Sequence, residues 1–169
     1  SWHVDLAIDG GVDELAHVPI EPLTERQIAR LVEKNIYMCP TMEIYKQVSD
    51  AYRLDWIKHC IDNVRRFVKA GGNVALGTDI GGYGVPFDTG MPHKEIQLMH
   101  QAGMTPMQII VAATKNAAFV CDIHHKVGTI QPGKLADILV IKRNPLDDLK
   151  ALKDVLMVIR NGEIIRDDV

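Results

Sequence analysis

The order of apolar runs along the chain constrains the fold more than any other feature. Three short stretches, VDELAHV from Val12, IYMCPT from Ile36 and NVALGT from Asn73, are each followed by a stretch with helical spacing. Such alternation predicts parallel strands joined by helical crossovers. A complete (β/α)8 barrel contains eight strand-helix units in roughly 250 residues. We therefore expect an α/β chain with about three units, which would be the last third of a barrel.

Composition allows a buried core and gives no electrostatic reason to bind nucleic acid. Hydrophobic residues make up 47% of the 169 residues, and the formal net charge is only -3. The longest apolar runs, such as 155–159, are far shorter than the roughly 20 residues that cross a bilayer. We expect neither nucleic acid nor a membrane as a partner.

The cysteines indicate a reducing compartment. Cys39, Cys60 and Cys121 are widely spaced and form no CxxC pair. We predict that all three are buried thiols, which favours a cytoplasmic location. A signal segment removed upstream would leave no trace in this sequence.

Helix signals separate the apolar runs. Thr24 and Gln27 have the spacing of a capping box. Apolar residues at three- and four-residue spacing predict one long helix within 41–70. After a glycine-rich loop, two further helices are expected to begin near Pro92 and at Thr105.

The last forty residues have a different pattern. The runs KLADILVIK and VLMVIRNGEIIRD read as strands, and the Asn-Gly pair in the second run is a strong hairpin signal. We predict a small all-β appendage here.

Two metal-competent side chains stand where predicted strands end. His17 follows the first strand and Asp79 follows the third. Active sites of parallel α/β folds lie at the carboxyl ends of the strands, and a divalent metal with a neighbouring carboxylate can activate water for hydrolysis. Each residue also has an ordinary interpretation, because a lone histidine is often a satisfied core or surface residue and an aspartate often caps a turn. Spacing alone leaves both interpretations open.

The sequence strings around these residues are more specific. GVDELAHVP resembles the sixth-strand motif of the amidohydrolase superfamily, and ALGTDIGG resembles its eighth-strand motif, as in the imidazolonepropionase-like branch of cyclic-amide and dipeptide hydrolases. The run from HKEIQLMH to FVCDI is similar to that family's helical signature. The segments GTIQPGKLADILVIK and VIRNGEII are similar to its C-terminal β-sandwich ending. The matching segments occur in the family's order and cover most of the chain.

This resemblance covers only the C-terminal part of the family's fold. It implies that residues 1–125 form strands 6 to 8, with their helices, of a metal-dependent (β/α)8 barrel. Residues 126–169 would then supply strands of a small β-sandwich.

The resemblance also implies a reaction and a cofactor. His17 matches a metal ligand of the family, and Asp79 matches the aspartate that binds metal and takes the proton from the attacking water. The cofactor implied is a divalent metal, zinc in the first place, as one or two ions in the full-length enzyme. The activity implied is hydrolysis of amide-type C–N bonds in a small cyclic-amide or dipeptide-like substrate by metal-activated water.

The chain departs from the family in one important respect. The family's first strand supplies an HxH pair, and none of the seven histidines is spaced that way. We therefore expect the chain alone to be an inactive fragment, completed by the remainder of its barrel or by a homo-oligomer. The alternative is a non-catalytic truncated remnant or scaffold of the same fold.

Three further residues are candidates for binding substrate. Thr41 follows the second strand, Tyr83 lies in the glycine-rich loop with Phe87, and His93 follows that loop. The aromatic residues could equally pack the loop, and His93 could be a surface residue at a helix start.

Overall fold

The computed structural model describes residues 2–79 and 90–168. Seven α-helices and five β-strands are assigned within these ranges: α1 Trp2–Gly10, β1 Glu14–Ala16, α2 Glu25–Glu33, β2 Tyr37–Cys39, α3 Met42–Tyr52, α4 Trp56–Lys69, α5 His93–Gln101, α6 Pro106–Val111, α7 Ala117–Val120, β3 Ile138–Ile141, β4 Val155–Arg160 and β5 Glu163–Asp167. A π-helical segment, Ala112–Asn116, joins α6 to α7, and a 3-10 helix, Leu149–Lys153, precedes β4.

The first two strands pair in parallel, as the sequence predicts. Ala16 lies opposite Cys39 in the β1–β2 register. The third apolar run joins them through a single parallel bridge, between Val74 and Met38. Beyond this bridge the third run bonds to a helical segment rather than to β2: Leu76 N–H donates to the carbonyl of Ala112, in the π-helical segment, at 3.0 Å. The third strand is therefore shorter than its sequence pattern predicts.

The core lies between the parallel strands and the helices that cover one face. Met38 of β2 is fully buried, with Phe67 of α4 and Met99 of α5 in the same apolar cluster. The opposite face of the strands carries Glu14 and, across from it, Tyr37. Burial of the apolar face against the helices is the main force that holds these short strands together.

The prediction of one long helix within 41–70 is wrong. The structure has two helices, α3 and α4. The helical conformation is interrupted at Arg53, whose φ of 54° is left-handed. Leu54 N–H donates to the carbonyl of Ser49, and the Ser49 hydroxyl accepts from Ile57 N–H, both at 3.0 Å. Apolar spacing cannot detect this break because the interrupted helices keep their buried faces on the same core.

The Asn-Gly hairpin is confirmed near the C-terminus. Strands β3, β4 and β5 form an antiparallel sheet in that order. The turn places Asn161 and Gly162 at φ values of 51° and 84°, as a two-residue hairpin turn requires. The 3-10 helix, Leu149–Lys153, is an addition that the all-β expectation for this part missed.

The cysteines are less uniformly buried than predicted. Cys60 is buried and Cys39 is half-buried, and burial raises the pKa of their thiols to about 12 and about 11. Cys121, the residue after the short helix α7, is exposed, so the prediction of three buried thiols is wrong for this residue.

The thiol of Cys39 explains why residue 77 is a glycine. A Cβ atom at Gly77 would lie 2.4 Å from Cys39 Sγ. We expect Gly77→Ala to lower the free energy of unfolding by about 1–3 kcal/mol, because the added methyl overpacks this contact. Urea unfolding of Gly77→Ala, of Cys39→Ala and of the double variant measures the effect. The double variant should recover most of the loss due to Gly77→Ala, and strictly additive losses would contradict the packing explanation.

Candidate active site

The structure brings His17 and Asp79 together. Nε2 of His17 lies 3.7 Å from Oδ2 of Asp79. The side chains remain 44% and 56% exposed, so the space between them is open to a ligand. His17 and Asp79 each follow an apolar run that pairs in parallel with β2. Because parallel strands end at the same edge of a sheet, the two residues lie side by side at that edge.

Left-handed backbone conformations mark this edge. His17, Thr41 and Asp79 have φ values of 76°, 50° and 50°. A non-glycine residue in this region is uncommon, and a β-branched threonine is especially disfavoured there. Each such residue costs on the order of 1–3 kcal/mol and persists only where the surroundings hold it, which is typical of functional sites.

Thr41 holds the ring of His17. The Thr41 hydroxyl lies 2.6 Å from Nδ1 of His17, and Thr41 is only 4% exposed. The backbone supports this contact, because His17 N–H donates to the carbonyl of Cys39 at 2.9 Å and so continues the pairing beyond β1. The ring of Tyr45 meets the imidazole edge-on, with centroids 6.0 Å apart. The Nδ1 side of the ring is thus occupied by the protein, and Nε2 faces Asp79.

The chain that follows His17 is fastened by Asn63 of α4. This fully buried amide donates to the carbonyls of Pro19 and Glu21 at 2.9 and 2.8 Å, and its Oδ1 accepts from Leu23 N–H at 2.8 Å. All three hydrogen bonds restrain the loop immediately after the site.

Glu95 of α5 is a buried acid that the sequence prediction missed. Its two oxygens accept the N–H groups of Met42 and Glu43 at 2.9 and 2.7 Å, at the start of α3. Burial raises the pKa of Glu95 to about 7, although the two backbone hydrogen bonds act in the opposite direction. The sequence contains a signal for its burial but not for its partners, because Glu95 precedes Met99 by four residues and Ala102 by seven and therefore shares their apolar helix face.

Of the other candidate residues, Thr41 contacts His17, whereas His93 makes no hydrogen bond with His17 or Asp79 among the described residues. His93 begins α5, and its Nδ1 is buried without a hydrogen-bond partner among residues 2–79 and 90–168. Burial lowers the pKa of His93, and the charges of Lys153 and Lys150 lower it further. Tyr83 and Phe87 lie outside the described residues. Substrate binding by Thr41, Tyr83 and His93 stays a prediction.

The donors of His17 and Asp79 fit a divalent metal in type and spacing. One imidazole nitrogen and one carboxylate oxygen suit zinc, and two ligands about 2.1 Å from a tetrahedral ion lie about 3.4 Å apart. The observed separation of 3.7 Å is close to that value. Within the described ranges no group of three or more histidine, cysteine, aspartate or glutamate side chains could hold a metal. These two residues therefore provide half of the usual four-coordinate shell.

A separate apolar groove lies along α5, α6, α7 and β3. It has a volume of about 920 Å³ and is lined by apolar residues of these helices and of β3, among them Ile109, Ala113 and Ile138. Neither His17 nor Asp79 lines it. The groove has no histidine among its described lining residues, so we place the candidate chemistry at the strand ends instead.

Comparison with known proteins identifies the family. Residues 11–165 match the amidohydrolase family, and the chain belongs to it. The imidazolonepropionase of Thermoanaerobacter pseudethanolicus is 30% identical over an alignment of 156 residues, which covers 86% of this chain and 34% of that protein. Ochratoxinase of Aspergillus niger is 33% identical over an alignment of 104 residues, which covers 59% of this chain and 20% of that protein.

A solved structure supports the same assignment. The crystal structure of a Xaa-Pro dipeptidase with bound methionine in the active site superposes with a TM-score of 0.83 and is 28% identical. The alignment covers 96% of this chain and 42% of that one. The fold is thus the C-terminal part of an amidohydrolase (β/α)8 barrel with adjoining sandwich strands, as predicted. The chain spans about a fifth to a third of the length of the two curated relatives.

Proposed function

We propose that this chain belongs to a metal-dependent hydrolase that cleaves amide-type C–N bonds, with His17 and Asp79 in its metal site. The observation that carries the proposal is the 3.7 Å approach of His17 Nε2 to Asp79 Oδ2 at the carboxyl ends of parallel strands. Membership of the amidohydrolase family supports the reaction class. The metal proposed is a divalent ion, zinc in the first place, as one or two ions in the whole protein.

The residues of the chain have distinct parts in this reaction. A divalent ion at the site supplies Lewis acidity, which acidifies water and polarises the amide carbonyl. Asp79 accepts a proton from the attacking water and delivers it to the leaving nitrogen as the C–N bond breaks. Thr41 fixes the orientation of the His17 ring through Nδ1, so that Nε2 is directed to the metal.

The substrate proposed is a small cyclic amide or a dipeptide-like molecule. The support comes from the named relatives, which include imidazolonepropionases and a Xaa-Pro dipeptidase. The half-exposed His17–Asp79 edge is open enough to admit such a substrate. Nucleic acid and membranes are not proposed as partners, and no helix within the described residues is long and apolar enough to cross a bilayer.

The remaining metal donors must come from outside the described pair. We propose that the remainder of the barrel, or a second copy of the chain, supplies them. Two protein donors leave a zinc ion short of the three or four that protein sites ordinarily provide.

Removal of metal from the whole protein tests this function. Hydrolysis of Met-Pro and of hydantoin would be assayed before and after dialysis against a chelator. We expect turnover of at least one of these probes to fall by about 100-fold or more, because the metal contributes several kcal/mol to transition-state stabilisation. Adding back zinc or manganese should restore it. Turnover that survives complete metal removal would contradict the proposal.

A further inference from the structure

Thr41 occupies the position of a helix cap but does not act as one. It directly precedes α3, has a left-handed backbone and makes no capping hydrogen bond with its side chain. The other two threonines that precede helices behave differently. Thr24 and Thr105 have extended backbones, and each hydroxyl accepts the N–H of the third helical residue in a complete capping box. The Thr41 side chain therefore does not cap α3, although threonine is favoured as a cap at this position.

The hydroxyl of Thr41 is diverted to His17, and Glu95 replaces it at the helix. Thr41 Oγ1 contacts His17 Nδ1 at 2.6 Å. The first N–H groups of a helix need acceptors, and Met42 and Glu43 find theirs in the Glu95 carboxylate. Glu95 has no exposed surface, so water does not compete for these hydrogen bonds.

A second contact joins the same two helices. Lys94 Nζ lies 3.3 Å from Oε1 of Glu43, next to the hydrogen bond that Glu95 accepts. Helix α5 therefore holds the start of α3 through two consecutive residues.

We propose that Glu95 is a positioning residue of the His17 site, which caps α3 in place of Thr41 and thereby leaves the Thr41 hydroxyl to orient the His17 ring. The inference rests on the proposed function in one respect, the assignment of His17 as a metal ligand. Glu95 acts through α3 and Thr41, and it has no contact with the reacting atoms in this arrangement.

The physical basis is a competition for one hydroxyl group. Without Glu95, the N–H groups at the start of α3 lack an acceptor, and capping by a threonine stabilises a helix by about 1 kcal/mol. A return of Thr41 to an extended backbone would also release the cost of its left-handed conformation. Both terms favour a state in which Thr41 caps its own helix and releases His17.

The test compares the His17 ring in variants of the whole, metal-free protein. Nitrogen-15 NMR of histidine-labelled protein reports the hydrogen bond at Nδ1, and Thr41→Val supplies the reference for its loss. We expect Glu95→Ala to move the His17 ring resonances to the Thr41→Val positions, and Glu95→Gln, which keeps one acceptor, to move them part of the way. The matched control is Thr105→Ala, which removes the cap of α6 and should leave the His17 resonances unchanged.

A second readout measures metal binding. The zinc dissociation constant should rise about 10- to 100-fold in Glu95→Ala, as for other partners that orient a ligand. Should Glu95→Ala fail to fold, Glu95→Gln carries the test, since it preserves the side-chain volume. Unchanged His17 resonances in a folded Glu95 variant would overturn the proposal. Absence of zinc binding in the wild type, with the expected resonance shifts present, would reject the metal function and leave the Glu95 link standing.

Discussion

Asp79→Asn is expected to lower turnover of the whole protein by about 100- to 10,000-fold while the fold is retained. Loss of a general base costs this much, because asparagine cannot take a proton from water or return it to the leaving nitrogen. The side chain of Asp79 is 56% exposed, so the substitution disturbs little packing. Steady-state assay of the probe that the wild type cleaves, with circular dichroism as the check on folding, measures the effect.

Asp50→Asn is the matched control for this variant. Asp50 is an exposed aspartate of α3 whose partner, Lys46, lies one turn away on the surface. Its loss should leave turnover within about twofold of wild type, since such surface pairs contribute little. An Asp79→Asn protein that is as active as this control would refute the catalytic assignment.

Asn63→Asp is expected to destabilise the chain by roughly 3–5 kcal/mol. The substitution is nearly isosteric, but it replaces the donors to the Pro19 and Glu21 carbonyls with a carboxylate oxygen. The two partly buried carbonyls would lose their donor, and the fully buried position 63 would carry a carboxylate that faces their oxygens; an unsatisfied buried polar group costs about 1–3 kcal/mol and an unpaired buried charge costs more. Denaturant unfolding monitored by circular dichroism gives the free energy of unfolding.

Asn73→Asp provides the comparison, because the side-chain amide of Asn73 donates to the exposed side chain of Asn35, at 2.9 Å. We expect a loss below about 1 kcal/mol there. Similar losses at both positions would show that Asn63 does not fasten the loop after His17 in the way its three hydrogen bonds indicate.

Local chemistry made much of this fold predictable. The capping box at Thr24, the helix cap at Thr105 and the turn at Asn161 are confirmed, because each depends on a hydrogen bond or backbone preference within four residues. The parallel order of the strands followed from the alternation of strand and helix patterns. The placement of His17 beside Asp79 followed in turn, since parallel strands end at the same edge.

Long-range contacts account for what the sequence did not predict. Glu95 caps a helix that lies 53 residues earlier in the chain, and no local pattern reports such a bond. The left-handed backbone at Thr41 is held by tertiary partners against its own preference. The break at Arg53 is different, because the hydrogen bonds of Ser49 with Leu54 and Ile57 are local, but the apolar spacing does not reveal them.

Metal titration tests the central claim most directly. Calorimetric titration of the whole, metal-depleted protein with zinc, and in parallel with manganese, would be compared for wild type, His17→Gln and Asp79→Asn. We expect one or two ions per chain in the wild type and at least about 100-fold weaker binding in each variant, because each removes a donor to the ion. Equal binding in all three proteins, or no stoichiometric binding in the wild type, would contradict the account. The second result would favour a non-catalytic scaffold with this fold.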